Sequence, residues 1–129
     1  MSYTNEPLKI WIPITFPAMN ETLKAARATK GSWSRYSDLK RAYTKGVRLY
    51  ALDHRRRRIE TAHVRFEWHC ENRRTDPDNI ASAAKYVLDG LVKAGVLADD
   101  GFKNVKSIHH DFLVSKEPGV LVVIDEVHE

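Results

Sequence analysis

A single cysteine, Cys70, is all the chain has, so no disulfide can close within it and nothing in the sequence points to an oxidising compartment. Long apolar runs are missing as well: none approaches the ~18–20 residues of a membrane span. The opening stretch "MSYTNEPLKIWIP" has neither the charged start nor the apolar centre of a secretory signal. Internal repeats and low-complexity segments are absent. These absences lead to the expectation of a soluble, cytoplasmic protein that makes no use of a membrane. With 129 residues, 43% hydrophobic and 29% charged, the chain is long enough for one domain with a real core and too short for two.

What is present in excess is positive charge. The net charge is +4, and more than half of the 21 Lys and Arg residues lie between Lys24 and Arg58, ending in "DHRRRR". A basic block in a compact domain suits an anionic partner, nucleic acid being the commonest. The plainer reading is a solvated helix end, because cations favour the last turn of a helix.

Hydrophobic spacing gives the elements. Leu8, Ile10, Ile12, Ile14 and Phe16 alternate as in a strand, and Pro13 puts that strand at a sheet edge. "AMNETLKAARATKGSWSRY" reads as a polar, basic loop with at most one helical turn. Ser37 can cap a helix carrying Leu39, Ala42, Tyr43, Val47 and Tyr50 on one face. Val64, Phe66, Trp68 and Cys70 form the apolar face of a second strand. A helix follows over Ile80 to Leu91, with apolar residues at 80, 83, 84, 87, 88 and 91 and Gly95 as its C-terminal cap. Asp99, Asp100 and Gly101 make a turn. Strands over Val105 to Val114 and Val120 to Val127 come last, with "SKEPG" between them resembling a hairpin connection. The order predicts a single α/β domain with a mixed sheet of about four strands and two main helices.

The stretch with chemistry in it is "NRRTDPDN", Asn72 to Asn79. Asp76-Pro77-Asp78 is a good helix start: Asp caps, proline suits the first helical position, and acids suit the positive end of the dipole. The alternative is a metal site. Proline holds the residue before it extended, and in an extended segment residues two apart point the same way. Both carboxylates would then face one space, and such hard oxygen ligands suit Mg²⁺ or Mn²⁺. A calcium EF-hand is excluded, since Ile80 and Ala81 stand where an oxygen ligand and a glycine are required. Ser82, Lys85 and Asp89 fall on one helical face measured from Asp78, so Lys85 either pairs with Asp89 one turn on or serves a phosphodiester. His109 and His110 are adjacent on a strand, face opposite ways and read as ordinary strand residues. Cys70 reads as a core residue.

"RRTDPDN", followed by a helix carrying "KYVLDGLVKAGVLADDGFKNV", resembles the signature of the RusA family of Holliday junction resolvases, found in phages and prophages. The likeness runs from Asn72 to Val105, and "ITFPAMNETL" is similar to the family's N-terminal strand. A DxDN motif alone is weakly specific; joined to the later "KAGVLADD" it is specific. The resemblance implies a homodimeric endonuclease of DNA recombination and repair that nicks four-way junctions using Mg²⁺. Its catalytic acids and metal ligands fall on Asp76, Asp78 and Asp100, with Asp99 beside the last. The family lysine is matched by Lys85, although Ser82 occupies the place one turn earlier, a displacement of about 5 Å. Arg73, Arg74 and Asn79 would contact DNA, with Lys24, Arg27, Lys30, Arg55 and Arg56 from the basic block. Two other functions fit the same residues: a branched-DNA-binding module that does not cut, and a nuclease acting on flaps or other branches.

Overall fold

Leu8, Ile10 and Ile12 point inward from β1 (Leu8–Ile12), the first strand of the computed structural model, which describes residues 6–27 and 32–128. The strand stops where Pro13 removes a backbone donor, so Ile14 and Phe16 pack on the core from the following loop instead. Helix α1 (Met19–Arg27) and helix α2 (Ser32–Ala51) come next. The first of these replaces the expected basic loop. The second begins five residues before Ser37, so that serine lies inside it and caps nothing. Its inward face is Tyr43, Thr44, Val47 and Ala51, while Ala42 and Tyr50 are exposed. A short 3₁₀ segment (Leu52–Arg57) leads into β2 (Ala62–Cys70).

After β2 the single expected helix is two: α3 (Pro77–Ala81) and α4 (Ala84–Ala94). Ser82 explains the break. Its Oγ donates to the Asn79 carbonyl at 2.8 Å, and the amides of Ala83 and Tyr86 bond three residues back rather than four. Such back-bonding by serine competes with the regular helical ladder. Gly95 ends α4 at φ 82°, as its position suggests, while the Val96 amide bonds the Leu91 carbonyl. Strands β3 (Val105–Val114) and β4 (Gly119–Glu126) complete the fold.

The sheet order is β1-β4-β2-β3, mixed, with β2 and β3 parallel and the other neighbours antiparallel. The edge position expected for β1 is therefore observed. The hairpin between β3 and β4 is not, because β2 lies between them. Reaching past one strand takes about 10 Å, and the four residues from Ser115 to Pro118 can extend to roughly 13 Å. The Ser115 amide, bonded to the Cys70 carbonyl at 2.9 Å, starts that crossing. One sheet face carries the core: Val64, Phe66 and Trp68 of β2 with Val120, Val122 and Ile124 of β4, all buried under the helices. Burying a side chain such as Phe66 contributes about 2–3 kcal/mol. Among the described residues, no helix is long and apolar enough to cross a membrane.

His110 links this core to the edge. The buried Trp68 donates its indole N–H to His110 Nδ1 at 2.9 Å, and the imidazole stacks on Phe66. The bond requires an unprotonated Nδ1. Burial, and secondly the charge of His109, push the His110 pKa below its ordinary value. The unfolded chain therefore binds the proton more tightly, and His110 costs the fold stability as pH falls through about 6.5. Urea unfolding at pH 7.5 and 5.5 should show wild-type protein losing stability on acidification. His110→Phe, which keeps the stack and cannot protonate, should lose less over the same interval.

Candidate functional site

Pro77 positions the first carboxylate as the sequence suggests. Asp76 is extended (φ −68°, ψ 147°), and its carbonyl accepts the amides of Asn79 at 3.0 Å and Ile80 at 3.2 Å. The cap is made by its backbone; its side chain makes no capping bond. Asp78 lies in the first turn of α3, where its Oδ1 accepts the Asn79 amide at 3.0 Å. Asp78 is thus helical, and the extended-segment argument for a shared direction does not hold. Helical backbone, not strand alternation, sets where its carboxylate goes. Both aspartates are exposed.

The third acid lies in another setting. Asp99 Oδ1 accepts the Asp100 amide at 2.8 Å, tying Asp99 into the turn, while Asp100 turns toward α4. The Asp100 pKa is raised above its ordinary value, first by burial and then by the neighbouring Asp89 carboxyl, with the charge of Asp99 adding to it. Lys85 pulls the other way. Asp89 in turn takes Lys85 at 3.4 Å, one helical turn apart, and Lys40 of α2 at 3.8 Å. Lys85 is therefore paired with Asp89, the plainer of the two roles its position allows. Among the described residues, no three His, Cys, Asp or Glu side chains are grouped to hold a metal ion. Asp76, Asp78 and Asp100 are not gathered into one cage.

Alongside Asp89 and Asp100 runs a groove of about 630 Å³ between α2 and α4. Lys40, Arg41, Lys45 and Arg48 line one wall and Lys93 the other. Thr44 also faces it; this residue is 8% exposed, and its hydroxyl has no partner among the described residues. Sequence reasoning named none of these cations individually and did not name Asp89 as a site residue. The signal was available, since Arg41, Lys45 and Arg48 repeat at i, i+4 and i+7, one face of a helix.

The other expected DNA contacts are scattered. Arg73 and Arg74 are exposed in the loop after β2, where the Arg74 amide bonds the Asn72 side chain at 2.9 Å. Asn79 is half-buried at the start of α3, and Lys24 and Arg27 are exposed on α1. Lys30 lies outside the described residues. Arg55 and Arg56 are exposed before β2 begins, and Arg55 donates to the Leu52 carbonyl at 3.2 Å, as a cation at a helix end does. The length of β2, about 30 Å, separates them from Arg73 and Arg74. The chain matches no protein-family model and no curated protein.

Proposed function

We propose that the chain is a Mg²⁺-dependent endonuclease, with Mn²⁺ as a substitute metal, that acts as a homodimer on four-way DNA junctions in recombination or repair. The observation that carries this reading is the Asp89–Asp100 carboxyl pair set into a groove lined by cations. Neighbouring carboxylates make a hard-oxygen donor set, and a hard divalent cation is the chemical complement of such a set. Mg²⁺ commonly takes only one or two protein carboxylates and completes its shell with water and phosphate oxygens. Asp89 and Asp100 are of the type that fits the ion and would hold it, while the exposed Asp76 and Asp78 are the acids that the family resemblance matches. When bound, the ion would supply an activated water and neutralise charge at the scissile phosphate. Lys40, Arg41, Lys45 and Arg48 hold the DNA backbone. Lys85, already turned to Asp89, keeps the carboxylate side of the groove from repelling that backbone.

The motif from Asn72 to Val105 directs this general metal-and-phosphate chemistry to branched DNA, by its resemblance to the RusA family. A synthetic four-way junction incubated with Mg²⁺ should be nicked in two opposing strands. An intact junction would overturn the reading. A second reading, a junction-binding module that does not cut, is favoured by one observation: Asp76 and Asp78 are not grouped with Asp100. Structure-selective binding with no cleavage in Mg²⁺ or Mn²⁺ would establish it.

Binding should depend steeply on salt. Each phosphate contact adds about −0.9 to the slope of log affinity against log salt on duplex DNA. Replacing Arg41 or Arg48, both groove-lining and exposed or half-exposed, by Ala should lower that slope by roughly one each. Arg55→Ala, at the far end of β2, should change it less.

A further inference from the structure

Where the loop after β1 meets the loop after β2 there is a second concavity, of about 300 Å³, which shares no residue with the groove between α2 and α4. Its wall is aromatic. Phe16, brought in by the turn-off at Pro13, lies 5.6 Å from Tyr43 and 6.2 Å edge-on to Trp68. Phe16 and Tyr43 are only half-buried, so ring surface stays open to the pocket. Ala18, Ala83 and Gly119 also line it and have too little side chain to fill the space. The rim is polar: Glu21, Glu71, Asn72 and Thr75, all exposed. Asn72 lends its Oδ1 to the Arg74 amide at 2.9 Å, which leaves its side-chain N–H groups to donate elsewhere. The side chains of Glu21, Glu71 and Thr75 have no hydrogen-bond partner among the described residues.

Charge restricts the guest. Glu21 and Glu71 repel an anion, so a phosphate does not enter. Arg73 and Arg74 follow directly on the rim and share with Glu71 and Asn72 a shallow hollow beside it, so a cationic side chain is opposed as well. A neutral, flat group with N–H donors, carried on an anionic tether, satisfies both conditions. We propose that the pocket takes one nucleobase, unstacked from the DNA, with its flanking phosphates on Arg73 and Arg74. The volume stands at the lower end of the roughly 300–1,000 Å³ of small-molecule sites, room for one heterocycle and not for the end of a duplex. The base stacks on the aromatic wall, its N–H groups donate to Glu71 or Glu21, and Asn72 donates to a ring nitrogen or carbonyl. Thr75 on the rim precedes Asp76, so the captured nucleotide is the one beside the exposed acids. Extruding a base costs least where stacking is already interrupted. Base capture thus favours a branch point over continuous duplex, a selection that backbone contacts alone do not make.

The inference rests on the DNA-binding part of the proposed function, and its test needs neither a junction nor cleavage. A short single strand and an abasic strand of the same length carry equal phosphate charge. Fluorescence anisotropy with the full chain should show the base-bearing strand bound on the order of tenfold more tightly. Glu21→Ala/Glu71→Ala should keep the wild-type far-UV spectrum and Tm, because both side chains are exposed. Its affinity for the base-bearing strand should fall on the order of tenfold, as two charged acceptors are lost. Its affinity for the abasic strand should hold or rise, since two negative charges leave the path of a polyanion. With no base in the pocket, the same variant would gain affinity for both strands alike. Equal wild-type affinity for the two strands, no binding of either, or a variant that leaves the gap between them as wide overturns the inference. Base-dependent binding beside an uncut junction supports the pocket and overturns only the activity; a nicked junction beside equal strand affinities does the reverse.

Discussion

Asp78→Asn should bind a four-way junction as tightly as wild type and nick it at least about 100-fold more slowly, the scale on which removal of one transition-state-stabilising group is felt. Asp76→Asn should behave alike. Neither change should disturb the fold. Both side chains are exposed, the Asp76 carboxylate makes no capping bond, and the Asp78 carboxylate only meets the next amide, a bond that the Asn carbonyl oxygen can replace. Stability within about 0.5 kcal/mol of wild type is expected for such positions. The measurement is single-turnover cleavage alongside equilibrium binding in Ca²⁺ and thermal unfolding. Wild-type cutting by both variants would remove these two acids from the chemistry and leave Asp89 and Asp100 as the carboxylates that matter. Asp89→Asn is then the deciding variant, because it removes a charge from Asp100 and an anchor from Lys85 and Lys40 together.

Strand positions were legible because alternation is a strong local signal: β3 has the expected ends, and β2 and β4 differ by about one residue. The Gly95 cap was legible from equally local chemistry, since glycine takes the left-handed conformation that closes an apolar helical stripe at no steric cost. Strand neighbours were not legible. Whether "SKEPG" turns back onto β3 or steps over β2 depends on which edge takes β4, and no residue in that loop encodes it. The split at Ser82 was hidden because its apolar stripe continues in register through the break, while the cause is one hydroxyl bonded to a carbonyl. Helix α1 was missed because its composition is polar and its support comes from α2 and α3, not from its own propensity.

The site divides in the same way. Asp76 is held extended by the proline next to it, a local effect that sequence shows directly. Asp89 is brought to Asp100 by the chain folding back after Gly95, and to Lys40 by the packing of α4 on α2; both are long-range consequences. Short motifs reveal the first kind of residue and pass over the second. The basic block shows the limit most clearly. Its residues from Lys40 to Arg48 line one groove, whereas "RRRR" lies beyond the end of α2, where Arg55 bonds a terminal carbonyl and Arg57 approaches Glu126 at 3.7 Å.

Gly90→Ala should destabilise the protein by about 2–3 kcal/mol and lower Tm on the order of 10 °C, although alanine is the better helix former. Propensity alone favours the change by about 1 kcal/mol. Packing opposes it. A methyl group at Gly90 would overlap Cβ and Cγ1 of Val47 and stand 3.0 Å from the Thr44 carbonyl oxygen. Val47 is fully buried and, being β-branched, has little freedom to rotate away. The carbonyl belongs to the α2 backbone, so the helices themselves must separate. Val47→Ala removes Cγ1 but leaves Cβ, and Gly90→Ala/Val47→Ala should therefore remain less stable than Val47→Ala alone. Separation would also draw Lys40 from Asp89 and widen the groove that both helices line, so DNA affinity should fall even at temperatures where Gly90→Ala is folded. A variant with wild-type Tm would mean that α2 and α4 approach each other less closely than Gly90 allows. Unchanged DNA affinity in a folded, destabilised variant would separate the groove from DNA binding.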